Sequence, residues 1–125
     1  MDANRLLRIA LIAVGILFVV GLYPLTIVWP SGWAWGHGHS HYLMMIVGVY
    51  ATLGVFLILA SRDPQAHSSI IWFTVWSSVV HGAIMAVQSF SDPMERGHLI
   101  ADVPAVLIVA VVLGLLMQRV KKSLI

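Results

Sequence analysis

Histidine recurs in this sequence at spacings that suit metal ligation. His37, His39 and His41 alternate within WPSGWAWGHGHSHY (29–42), His41 stands four residues before Met45, His81 four before Met85, and His98 four before Asp102. Neutral imidazole suits Zn, Cu or Ni, and a thioether suits Cu(I). On a helix, positions i and i+4 adjoin, so each pair could share one ion. The candidate metal set is therefore His37, His39, His41, Met45, His81, Met85, His98 and Asp102, with Cu or Zn the expected ion. Plainer roles compete with this one. His37 and His39 suit a polar loop at lipid headgroups, and His81 suits a core histidine satisfied by Ser77 or by a neighbouring helix. His98 and Asp102 suit the opening turns of a helix, where a carboxylate complements the dipole.

Other chemistries find less support. With no cysteine in the chain, thiol catalysis, disulfides and iron–sulfur ligation are excluded. The only lysines, Lys121 and Lys122, lie at the tail, so a buried Schiff base has no partner. The G-x-S-x-G pattern of serine hydrolases is absent. A bis-histidine haem needs a second histidine at the depth of His81 on a facing helix, and the sequence offers none.

The elements that must position these residues are membrane spans. The chain is 60% hydrophobic and 10% charged, too little polar surface to cover a soluble globule of its size. Apolar runs predict one all-α domain of four transmembrane helices at about 9–29, 43–61, 68–90 and 99–120, each close to the ~20 residues that cross ~30 Å of hydrocarbon. The basic lead-in of residues 2–8 resembles that of a signal peptide, but the run after it is long and lacks a small-x-small cleavage site, so a retained span is expected. Pro24 should kink that span, and Pro30 with Gly32 should end it.

The third run is the informative one. On a helical wheel His67, Thr74, Ser77, Ser78, His81, Met85 and Gln88 share one arc of about 100°, opposite Trp72, Trp76, Val79, Ala83, Ala86 and Phe90. Polar groups facing lipid cost several kcal/mol each, about as much as an unmade hydrogen bond in hydrocarbon, so the stripe should turn toward the other helices. In the second run His41, Met45, Gly48 and Thr52 form one stripe, and Tyr50, Gly54 and Ser61 a neighbouring one in which glycine permits close helix approach.

Arg5, Arg8, Arg62, Arg119, Lys121 and Lys122 fall on the side of the termini, and Arg96 alone on the other. That bias predicts cytoplasmic termini and an outward-facing histidine loop. Few charges and their end-of-helix placement make nucleic acid a poor partner.

Gly48, Tyr50, Gly54, Arg62, Pro64, His67, His81, Gly97, His98, Asp102 and Pro104 carry a resemblance over roughly half the chain. The sequence resembles an uncharacterised family of small bacterial four-helix membrane proteins, similar in layout to the DoxX-like group. The resemblance implies a multi-pass bundle in the bacterial cytoplasmic (inner) membrane, and no established activity. DoxX-like members are loosely linked to redox or quinone-associated complexes, and the HGHSH loop lies outside the shared pattern. The function expected is that of a small non-catalytic accessory subunit in a larger membrane complex or homo-oligomer. A periplasm-facing metal-binding protein and a minimal DoxX-like oxidoreductase component are the alternatives.

Overall fold

A computed structural model describes residues 2–35 and 40–123. Among these, all regular structure is helical: α1 (Ala3–Ile16), a π turn (Leu17–Gly21), α2 (Leu22–Val28), α3 (Pro30–Trp33), α4 (His41–Ala60), α5 (Ser68–Ser91), a 3-10 helix (Pro93–Ile100) and α6 (Asp102–Ser123). They make four helical stretches long and apolar enough to cross a membrane: Ala3–Val28, His41–Ala60, Ser68–Ser91 and Pro93–Lys122.

Local chemistry sets the boundaries. Helix α1 starts ahead of the apolar run because the Asp2 carboxylate accepts a hydrogen bond from the Arg5 backbone N–H at 2.8 Å, the usual N-cap arrangement. Pro24 has no N–H to give to residue 20, and its ring crowds that carbonyl; the π turn just before it is where the helix absorbs the mismatch. Trp29 precedes a proline and so leaves helical geometry, with φ −134° and ψ 69°. Pro30 then opens α3. The side chain of Ser40 caps α4 through the Leu43 N–H.

Helix α5 lies along α6, α6 against α1, and α1 against α4, whereas α4 and α5 touch sparsely. Gly15 and Gly54 set the α1–α4 distance: a Cβ on either would come within 2.7 Å of the other's carbonyl oxygen. The end of the bundle holding the termini is filled by apolar side chains, with Leu7, Leu11, Leu57, Ile71 and Leu113 all fully buried. Gln65 hydrogen-bonds Asn4 there. The opposite end is closed by α3 and the 3-10 helix, and we refer to it as the capped end.

The middle of the polar stripe of α5 faces inward, while its two ends, His67 and Gln88, are exposed and Trp72 and Ala86 of the opposite arc are half-buried. Thr74, Ser78 and Met85 are buried, His81 and Ser77 are half-buried, and Trp76, Val79, Ala83 and Phe90 are exposed. The centre of the buried face is rotated toward Ile71, Val75, Gly82 and Ser89, because a Cβ at Gly82 would meet Leu107 of α6 at 2.6 Å. His81 is left on the flank, where α5 leans away from α4.

Candidate functional site

The loose seam between α4 and α5 leaves a cavity of about 90 Å³ under the cap. Its wall is largely apolar, built from Leu17, Phe18, Leu22, Ile46, Val47, Met85, Ala105 and Val106, and it is punctuated by Thr26, Trp33, Trp35, Tyr50, His81 and Asp102. A wider space of about 280 Å³ adjoins it and shares Trp35, Leu43, Ile46 and His81, with Gln88 and Tyr42 toward the outside. A dry engineered cavity of roughly 150 Å³ accepts benzene. The two spaces together therefore have room for a ring and a short chain.

On one wall the Tyr50 hydroxyl and His81 Nδ1 share a hydrogen bond of 2.6 Å. Phe18 packs edge-on against the Tyr50 ring at 5.0 Å. The neutral pair carries two polar hydrogens, and their mutual bond uses one. If the hydroxyl donates, His81 keeps an Nε2–H; if His81 Nδ1–H donates, Tyr50 keeps its O–H. Either way one donor remains.

The other wall belongs to the cap. His98 is 1% exposed and lies between two carboxylates, Glu95 Oε2 at 2.9 Å from Nε2 and Asp102 Oδ1 at 2.9 Å from Nδ1. The Asp102 contact is a hydrogen bond, and Glu95 stands within contact distance on the other side of the ring. The Trp35 indole N–H donates to Asp102 Oδ2 at 2.8 Å, and its ring stacks on the His98 imidazole at 3.9 Å and 18°. Trp35 thus ties the segment after α3 to both the 3-10 helix and α6. Glycine lets the two parts approach: a Cβ on Gly97 would come 2.5 Å from the Ser31 carbonyl oxygen, and one on Gly32 would come 2.5 Å from Ala101.

Two polar atoms with no solvent exposure have no hydrogen-bond partner among the described residues, the Trp33 Nε1–H and the Ser89 hydroxyl. Trp33 lines the cavity.

Among the described candidate metal residues, His81, Met85 and Asp102 line the cavity, and His41 and Met45 lie apart from it. His37 and His39 lie outside the described residues. His41 and Met45 stand on the exposed face of α4, Met45 61% exposed. His81 faces Tyr50 and has Met85 beside it on the cavity wall. His98 and Asp102 meet each other, with Glu95 as the further carboxylate. No group of three or more His, Cys, Asp or Glu placed to hold a metal ion occurs among the described residues.

Sequence reasoning named His81, Met85, His98 and Asp102 but passed over Tyr50 as a partner, and Trp33, Trp35 and Glu95 altogether. A signal for Glu95 existed. Glu95, His98 and Asp102 stand at i, i+3 and i+7, one face of a helix. The tryptophans carried no such mark, because an interfacial belt accounts for them equally well.

No curated protein and no solved structure matches the chain. A family model matches residues 2–123, nearly the whole length. The chain belongs to the family of unknown function DUF6632.

Proposed function

We propose that this is a small, non-catalytic, membrane-embedded binding protein whose capped-end cavity takes up a lipid-soluble molecule. The observation that carries the reading is the mostly apolar cavity under the cap, with a few polar side chains converging on it and a loose α4–α5 seam beside it. Such a combination is the usual form of a small-molecule site. The polar part of the lining is the Tyr50–His81 pair and the Asp102 carboxylate held by Trp35 and His98. A binding role suits an accessory subunit of a larger membrane complex.

The test is extraction of the protein from its native membrane in polymer discs, followed by mass spectrometry of the released small molecules. A non-phospholipid species should accompany the wild type and be lost from Ala105→Phe, which fills the cavity. Identical extracts from the two proteins would remove the proposal's basis.

The proposal places the protein in the bacterial cytoplasmic membrane with both termini in the cytoplasm, supported by the six-to-one distribution of Lys and Arg. Alkaline phosphatase fused after Lys122 should be inactive, and fused within residues 36–40 active. The reverse pattern would invert the topology.

A further inference from the structure

Away from the cap, the end of the bundle that holds the termini carries a surface groove of about 330 Å³ between the start of α1, the start of α5 and the end of α6. Its lining is layered. Gln65, Ser68 and Lys121 form the rim, and Leu7, Trp72 and Met117 form the floor. Trp72 stands one helical turn into α5 from Ser68, and Met117 one turn back into α6 from Lys121, so the apolar layer lies about 6 Å deeper in the bundle than the polar one.

The charge at this end is one-sided. Arg5, Arg8, Arg62, Arg119, Lys121 and Lys122 all stand here, and the two side-chain carboxylates are turned to backbone: Asp2 caps α1 through the Arg5 N–H, and Asp63 accepts the Ala66 N–H. Lys121 is exposed, and among the described residues no carboxylate stands within ion-pair distance of it. A free cation over an apolar floor is the complement of an amphiphile with a negative head. A soluble anion would gain nothing from the floor, and a zwitterionic lipid would bring its own cation to Lys121.

We infer that the groove holds an anionic phospholipid from the leaflet on the side of the termini. Its phosphodiester lies at Lys121, and the upper part of an acyl chain covers Leu7, Trp72 and Met117. Both rim and floor suit that level of a bilayer: a lysine stem runs along apolar surface while its ammonium stays among the headgroups, and an indole favours the interface. The inference stands apart from the capped-end cavity, at the other end of the bundle, and does not depend on what that cavity binds.

The experiment places the full chain in nanodiscs made of equal amounts of phosphatidylglycerol and phosphatidylcholine, and counts by native mass spectrometry the lipids that stay on the released protein. The wild type should retain phosphatidylglycerol over phosphatidylcholine by about five-fold or more, the factor that one cation near a membrane surface contributes. Lys121→Gln keeps the length of the side chain and removes its charge, and should lower the ratio by about the same factor. Lys122→Gln makes the same change in net charge one residue along, outside the groove lining, and should leave the ratio at the wild-type value. Both variants should melt with the wild type, since both side chains are exposed. Equal retention of the two lipids by the wild type, an unchanged ratio in Lys121→Gln or an equal fall in Lys122→Gln would overturn the site. Excess glycerol 3-phosphate, which has the head without the chains, should displace none of the retained lipid, and displacement would overturn the lipid assignment.

Discussion

The two ends of this bundle bury different things. At the end holding the termini, the helices meet through Leu7, Leu11, Leu57, Ile71 and Leu113, all without exposure. In a membrane such packing gains dispersion contacts but little hydrophobic free energy, because lipid is as apolar as leucine. At the capped end the buried residues include Glu95, His98 and Asp102. His98 and Trp35 are joined to Asp102 by hydrogen bonds, with Glu95 close to His98, and space remains between α4 and α5. One end makes the bundle, and the other keeps a polar-walled opening within it. A polar network in a low-dielectric setting is costly when incomplete, so the capped end is the part of the bundle most sensitive to loss of a single partner.

That contrast can be broken most severely at Asp102. Asp102→Ala removes the acceptor of both Trp35 and His98, leaving buried donors unpaired. It should destabilise the protein by about 3 kcal/mol or more, measured as the loss of thermal stability in nanodiscs. Gly97→Ala comes next. The added methyl cannot be accommodated beside the Ser31 carbonyl, so α3 must move off the 3-10 helix at a cost of about 2 kcal/mol, in the usual overpacking range. Both variants should lose the co-extracted small molecule along with stability. Leu113→Ala, at the opposite end, should cost about 1–2 kcal/mol, the cavity part of a core truncation without its water-transfer part. Retention of the co-extracted small molecule should stay at the wild-type level, and a parallel loss of binding would show that the two ends are not separable. Tyr50→Phe should have the smallest effect on stability, about 1 kcal/mol for the lost bond to His81.

The membrane class, the helices and the inward polar face of α5 were legible because in hydrocarbon a polar side chain has few acceptable directions. Thr74, Ser78 and His81 announce the buried side of α5 by type and period alone. Gly54 and Tyr50 likewise share a stripe whose small residue implies a near neighbour. The pairing of Tyr50 with His81 was not legible. It depends on the rotation of two helices about their axes, set by glycine contacts at Gly15, Gly54 and Gly82 that no spacing rule specifies. The cap was read least well. Trp35 reaches Asp102 across 67 residues of sequence, and the role of a tryptophan in a glycine-rich loop is decided by where the loop lands. Met45 illustrates the converse: its i,i+4 spacing from His41 is real, yet both face outward on α4.

The claim that a ligand enters under the cap is tested most directly by nuclear magnetic resonance of the methionine methyl groups. Met85 lines the cavity, Met117 is buried in the apolar core, and Met45 and Met94 are exposed, so the methyls report on separate regions. With carbon-13 in these methyls, titration of hexylbenzene into protein-containing nanodiscs should move the Met85 resonance saturably and leave Met117 in place. A Met85 signal that does not move, or one that moves without saturation in step with the exposed methionines, would contradict the account.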